Sequence, residues 1–177
     1  MEKLPVDNEY NIVSSGIPVY NTEIKLCEDG EILVRGPQVV KGYWKMGEFK
    51  DGWLQTGDVG KIVNGWVYII DRKKDIINAS GFKIMPREVE EVIYQHPAVE
   101  VVVAGIPDEY RGENVIAYVK LRKGYEKSME LAKDIINHCR KLLAPYKVPR
   151  EVKFVDEIPK TPSGKIMRRA FKGEDYI

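Results

Sequence analysis

The stretch Lys61-Ile-Val-Asn-Gly-Trp-Val-Tyr-Ile-Ile-Asp-Arg-Lys-Lys-Asp75 decides how this chain is organised. Two β-type runs, Lys61-Ile62-Val63 and Trp66-Val67-Tyr68-Ile69-Ile70, flank Asn64-Gly65. That pair supplies the left-handed backbone positions of a tight turn, so the spacing predicts a β-hairpin. The run Asp71-Arg72-Lys73-Lys74-Asp75 follows at once. Taken singly it reads as a solvated turn, and here it separates two halves of different texture.

Before this joint, residues 1–71 hold nine of the 15 glycines, with short β-type segments at 12–13, 19–26, 31–34 and 65–70. The turn signals Glu28-Asp29-Gly30, Lys50-Asp51-Gly52 and Val63-Asn64-Gly65 divide them, the pattern of a small antiparallel sheet or barrel. After the joint, helices and strands alternate. Pro86 opens a helix with Glu88 in its first turn and Val89, Val92 and Ile93 as its apolar stripe, closing near His96-Pro97. Residues 99–106 and 115–121 read as strands. Ser128 is the N-cap expected for a helix with Leu131, Ile135, Cys139 and Leu142 on one face. Ala144-Pro145-Tyr146 ends it, 152–155 is a short strand, 158–165 a Pro/Gly loop and 167–172 a set of basic helical turns. The fold class is α+β.

Composition narrows the function. The 177 residues are 44% apolar and 31% charged, enough chain for one or two modest domains. Lys and Arg number 28 against 27 Asp and Glu, a net charge of +1 that argues against a general nucleic-acid or anionic-membrane binder. No apolar run approaches the roughly 20 residues that span a bilayer, and Met1-Glu-Lys-Leu-Pro opens no secretory signal. Cys27 and Cys139 form neither a CxxC pair nor a disulfide framework. A reduced, cytoplasmic protein without an integral membrane segment is the expectation.

Several motifs fall away. Gly164-Lys165 looks like the end of a P-loop, but position 159 is Pro and no Ser or Thr follows Lys165. Asn78-Ala79-Ser80 is a formal glycosylation sequon with no secretory context. His96 and His138 have no second ligand or nucleophile at useful spacing, so both read as structural, and no metal site is indicated. Lys160–Lys172 gathers five basic residues in 13, but Glu174 and Asp175 stand beside it, so nucleic-acid binding is not expected.

Three segments remain: Trp53-Leu54-Gln55-Thr56-Gly57-Asp58, where a glycine presents a carboxylate at a strand end; Asp71–Arg87, with Ser80-Gly81-Phe82-Lys83-Ile84; and Pro159-Lys-Thr-Pro-Ser-Gly-Lys165. Together with Gly30-Glu-Ile-Leu-Val-Arg-Gly-Pro, Gly42-Tyr-Trp, Glu88-Val-Glu-Glu, His96-Pro-Ala-Val, Arg111-Gly-Glu and Ala144-Pro-Tyr-Lys-Val-Pro, they occur in one order along nearly the whole chain. In this set the chain resembles the C-terminal part of the adenylate-forming superfamily, and within it the fatty and medium-chain acyl-CoA synthetases.

The resemblance implies an ATP-dependent ligase that makes an acyl-adenylate and passes the acyl group to coenzyme A. Residues 1–71 would be a small antiparallel β sub-barrel ending the large domain. Residues 72–177 would be a mobile α+β lid, with the hinge at 72–75. Asp58 would hold the ribose hydroxyls of ATP or AMP, as an acceptor-only group can, and Arg72 would reach the same ribose and phosphate region from the other domain with its planar donors. Lys165 would be the catalytic lysine bridging substrate carboxylate and α-phosphate. An ammonium about 4 Å away offsets a repulsion of about 4 kcal/mol at an effective dielectric near 20. Lys74 would be the hinge residue. Ser80, Gly81 and Phe82 would line the pantetheine channel, Gly81 because a side chain would obstruct the thiol. Lys83, Arg111 and Lys147 match positions that meet coenzyme A phosphates. Asn78 stands where some members carry a second functional lysine and gets no role.

The phosphate loop, the Thr-Glu magnesium motif and the acyl pocket are not encoded, so Mg2+ is expected only in the full-length enzyme and these 177 residues alone are expected to be inactive. The partner implied is the missing N-terminal domain, and the substrate a small carboxylic acid. An aryl-CoA ligase, a peptide-synthetase adenylation domain and a non-catalytic binding module are the alternatives.

Overall fold

The strands up to Asp75 are β1 (Val6–Asp7), β2 (Ile12–Val13), β3 (Glu23–Leu26), β4 (Glu31–Arg35), β5 (Gly42–Tyr43), β6 (Gly47–Glu48), β7 (Leu54–Val63) and β8 (Trp66–Arg72). This is a computed structural model that describes residues 3–172. The chain divides into two compact units, one ending at Lys74 and the other starting at Asp75. β8 runs on to Arg72 and a 3-10 turn occupies Lys73–Asp75, so the division falls three residues beyond the 71/72 boundary read from sequence.

In the first unit an antiparallel sheet of order β3-β4-β7-β8 is built around Ile32, Leu33, Val59, Val67, Tyr68 and Ile70. Asn64 and Gly65 have φ of 51° and 81° and join β7 to β8 with Val63 opposite Trp66, the hairpin expected. Register shifts at Glu31/Leu33 and Val59/Gly60 curl the sheet into a half-barrel, because each extra residue bends its strand. Gly60 permits this: a Cβ there would lie 2.2 Å from the Tyr68 carbonyl oxygen and 2.6 Å from Ile32 Cδ1. Residues 19–22 are not part of the strand predicted over 19–26; Asn21 turns left-handed and β3 begins only at Glu23. The hairpins β1–β2 and β5–β6 had no expected counterpart beyond 12–13.

The second unit comprises β9 (Ile77–Ala79), β10 (Phe82–Ile84), α1 (Pro86–Tyr94), β11 (Val99–Asp108), β12 (Gly112–Leu121), α2 (Met129–Leu142), β13 (Glu151–Phe154) and a 3-10 turn at Arg168–Phe171. Its mixed sheet runs β10-β9-β12-β11, with β13 parallel to β12 from Ile116 to Val119. Both faces of β11 and β12 are covered, which explains the unbroken Val101-Val-Val-Ala104. Val99, Val101, Val103, Val115, Ala117 and Val119 face α1 and α2. Val102, Ala104, Ile116 and Tyr118 face Ile158, Ile166 and Phe171 on the other side.

Helix α1 starts at Pro86 and buries Val89 and Ile93 completely. Ser128 caps α2, its Oγ accepting the Leu131 N–H at 3.0 Å. Ile135 and Cys139 are buried as expected, but Leu142 is 53% exposed and Leu143 packs on the core in its place, because the helix stops and the chain turns at that point. Burial pushes the Cys139 thiol up to about 11, so it behaves as a small core hydrophobe.

Candidate functional site

In the first unit, Thr56-Gly57-Asp58 lies within β7 rather than at a strand end. Asp58 is the register partner of Arg72 on β8, and Arg72 Nε donates to Asp58 Oδ1 at 2.8 Å. Asp58 Oδ2 keeps no partner among the described residues and remains an acceptor; the Arg72 side chain is half exposed. A buried carboxylate that sequence reasoning missed holds this turn. Glu31 accepts the Gly57 N–H on Oε1 at 2.9 Å and Lys73 Nζ on Oε2 at 2.8 Å. Lys73 also meets Asp29 at 2.7 Å, and the two carboxylates raise its pKa well above the ordinary lysine value. Lys74 follows, exposed, within the 3-10 turn.

In the second unit, Ser80 and Gly81 form the tip of the β9–β10 hairpin with φ of 52° and 83°. The Ser80 N–H donates to the Arg111 carbonyl at 2.7 Å, tying the tip to the start of β12. Glu113 takes the Asn78 N–H at 2.6 Å. A Cβ on Gly81 would meet nothing within 4 Å, so the tip is open space. The Phe82 ring stacks on Tyr146 at 4.5 Å and 20°, an exposed aromatic surface beside the tip. Lys83 is exposed. Lys147 is turned away into a half-buried pair with Glu88 at 2.5 Å.

Arg111 lines a cavity of about 500 Å³ together with Arg140 at the end of α2 and Arg150 just before β13. Leu143, Val148 and Pro149 make its apolar wall. Arg140 bonds Asn137 Oδ1, and among the described residues none of the three arginines has a carboxylate within ion-pair distance. Three guanidinium groups around one cavity are suited to a polyanion. Sequence reasoning found Arg111 and missed Arg140 and Arg150, which lie ten residues apart, one on α2 and one just before β13, and line one cavity only in the folded chain.

Lys165 sits on the other face of the sheet. Its loop leaves the core at Ile158, which is 3% exposed, and returns through Ile166 and Phe171. The Thr161 N–H donates to the Lys165 carbonyl at 2.8 Å, the Met167 N–H to the Pro159 carbonyl at 2.9 Å, and Lys160 pairs Ile166 as an isolated bridge. Lys165 itself is exposed, with no ion-pair partner among the described residues. The structure therefore gathers Ser80, Gly81, Phe82 and Arg111 in one region, pairs Asp58 with Arg72 in the other unit, and separates Lys165 from the α2 side by the thickness of a sheet. His96, just beyond α1, bonds Asp134 on α2, and His138 on α2 bonds the Val92 carbonyl on α1.

Among the described residues no group of three or more His, Cys, Asp or Glu side chains could hold a metal. The residues present do not fit the Mg2+ implied by the resemblance. No helix among them is long and apolar enough to cross a membrane. Glu174 and Asp175 lie outside the described residues.

Residues 88–165 match the family model of the AMP-binding enzyme C-terminal domain. The chain is 52% identical over 155 residues to a long-chain-fatty-acid–CoA ligase of Bacillus subtilis strain 168, covering 84% of this chain and 27% of that protein. It is 42% identical over 188 residues to the corresponding ligase of Escherichia coli O157:H7, covering 96% and 33%. It thus spans about a quarter to a third of the length of the curated relatives it matches. Among solved structures, o-succinylbenzoate CoA synthetase of Bacillus subtilis with its acyl-adenylate intermediate superposes with a TM-score of 0.78 at 36% identity, over 93% of this chain and 36% of that one. ATP-bound MatB of Rhodopseudomonas palustris gives 0.81 at 31% identity, over 92% and 37%. Residues 88–165 thus match the C-terminal domain of AMP-binding enzymes, and the chain is similar over most of its length to a part of acyl-CoA ligases.

Proposed function

We propose that this chain is the C-terminal part of an ATP-dependent acyl-CoA ligase, that the unit from Asp75 onward acts as its moving lid, and that the two faces of the lid sheet serve two half-reactions in turn. In the first, a carboxylate oxygen attacks the α-phosphorus of ATP, an acyl-adenylate forms and pyrophosphate leaves. In the second, the thiol of coenzyme A gives up its proton, attacks the acyl carbon and expels AMP. The names of the relatives point to a fatty acid as the substrate.

Lys165, on the Ile158/Phe171 face, would place its ammonium between carboxylate and α-phosphate, where two anions converge. Asp58 would accept from the ribose hydroxyls through its open oxygen, with Arg72 beside it. Rotation at Lys74 would then exchange Lys165 for the Ser80–Phe82 tip, which leaves room for pantetheine at Gly81. Arg111, with Arg140 and Arg150, would take the phosphates of coenzyme A. Lys83 is free to join them, whereas Lys147 would first have to leave Glu88. The observation that carries the reading is the separation itself: the cation for adenylation and the cations for coenzyme A lie on opposite faces of one sheet.

The test uses the full-length enzyme. Lys165→Ala should lower acid-dependent pyrophosphate exchange with ATP by about 10²–10³-fold, the scale for losing one group that stabilises transition-state charge. Thioester formation from added acyl-adenylate should continue. Full exchange in the variant would sink the role given to Lys165.

A further inference from the structure

Three residues beyond Lys165, a buried ionic cluster is left unused by the reading above. Arg168 opens the last 3-10 turn with its side chain only 14% exposed. Its Nη2 donates to both oxygens of Glu90, at 2.7 and 2.9 Å. Nη1 donates to Asp75 Oδ2 at 3.1 Å and Nε to the Val103 carbonyl at 2.9 Å. Glu90, on α1, is itself buried, and its Oε1 also accepts the Val103 N–H at 2.8 Å. Val103 lies on β11, the edge strand of the sheet, so its outward N–H and C=O would otherwise be unpaired. Glu90 and Arg168 satisfy both, in place of a further strand.

We propose that Arg168 is a positioning residue for Lys165. It fixes the C-terminal leg of the lysine loop to α1, to the edge of β11 and to Asp75, the first residue of the second unit. The inference rests on the catalytic reading of Lys165. Apolar contacts hold this leg too, through Ile166 and Phe171, but they tolerate sliding and rotation. The guanidinium is planar and its four bonds reach three elements, so it sets an angle as well as a distance. From Arg168 to Lys165 the chain spans at most about 10 Å, so a shift of the anchor is carried to the ammonium with little damping. A misplacement of about 1 Å can cost about 10²-fold in rate. Contact with Asp75 gives the anchor a second use: the loop takes its frame from the residue that follows Lys74, and a turn there would deliver Lys165 as part of a rigid body.

Arg168→Lys is the informative variant. It keeps a positive charge near Glu90, so the fold should persist, but a point charge cannot reproduce the fork. In the 177-residue chain, hydrogen exchange at the Thr161 and Met167 amides should accelerate about 10-fold or more, while Ile116–Val119 of β12 keep their protection. Asp75→Asn, which leaves the Arg168–Glu90 pair intact, should give a smaller acceleration of the same amides. In the full-length enzyme, Arg168→Lys should lower kcat for pyrophosphate exchange by about 10–100-fold with KM for ATP within about twofold, and spare thioester formation from added acyl-adenylate. The proposal is overturned if loop exchange is unchanged, if β12 accelerates equally, or if pyrophosphate exchange stays at the wild-type rate. Failure of the underlying reading shows separately, as full pyrophosphate exchange in Lys165→Ala while the loop amides of Arg168→Lys still accelerate.

Discussion

The two neighbours of Lys74 are held in opposite ways. Lys73 reaches Asp29 and Glu31 in the first unit with a side chain that is 47% exposed. Asp75 is held in the second unit by Arg168, with both side chains 14% exposed and Glu90 at 9%. Water reaches the Lys73 ammonium, although its Glu31 partner is only 5% exposed, and is largely excluded from every member of the second cluster. An exposed pair contributes little and can be remade, whereas removing one member of a buried cluster strands a charge. The joint is therefore loose where it leaves the β sheet and fixed where it enters the α+β unit. With Lys73 and Asp75 each tied within its own unit, the proposed rotation would fall on the backbone torsions between them.

Matched substitutions break this comparison if it is wrong. Arg168→Met leaves Glu90 and Asp75 buried without their cation and should destabilise the second unit by about 3–5 kcal/mol. Lys73→Met should cost clearly less, because the lost ammonium is half exposed and Glu31 keeps the Gly57 N–H. Urea unfolding of the 177-residue chain, followed at a probe in each unit, reads both. Equal losses would remove the distinction between the two sides of the joint.

The arginine cavity sharpens the same contrast, because Arg140 and Arg150 are exposed, Arg111 is half-buried, and among the described residues none of them has a carboxylate within ion-pair distance. Arg140→Ala/Arg150→Ala should leave stability within about 0.5 kcal/mol, as for surface positions outside any network. In the full-length enzyme KM for coenzyme A should rise about 10-fold, the lower end for losing hydrogen bonds to a charged group. A fall in stability with unchanged KM would mean that these arginines hold the protein together and bind nothing.

How much of this was legible in the sequence follows the range of each interaction. Asn64-Gly65, Pro86 and Ser128 act through their own backbone and immediate neighbours, and each appears where expected. The order of motifs carried the family because it needs no geometry. β9 and β10, three residues each, are too short to show a period. Leu142 and Leu143 exchange places because the helix period ends between them. Arg168 reads as one more basic residue in a set of helical turns; its carboxylates stand 78 and 93 positions away, and nothing local announces them. Glu31 escaped notice for the same reason, its lysine lying 42 residues on.

The smallest effect expected is a dependence on acid at the other leg of the lysine loop. Lys160 Nζ meets Glu100 Oε1 at 2.9 Å, and that hydrogen bond holds the Glu100 carboxyl below its ordinary value of 4.5. A carboxylate whose pKa is lower in the folded state stabilises that state fully above its unfolded value, and the contribution fades as pH falls through the folded one. Both side chains are more than a third exposed, so the pair contributes less than about 1 kcal/mol. Exchange at Thr161, corrected for its intrinsic pH dependence, should therefore rise by no more than about fivefold between pH 6 and pH 3. Glu100→Gln should flatten that rise. A larger rise that survives Glu100→Gln would place the acid sensitivity outside the Lys160 clamp, and the contrast between buried and exposed clamps would need to be drawn differently.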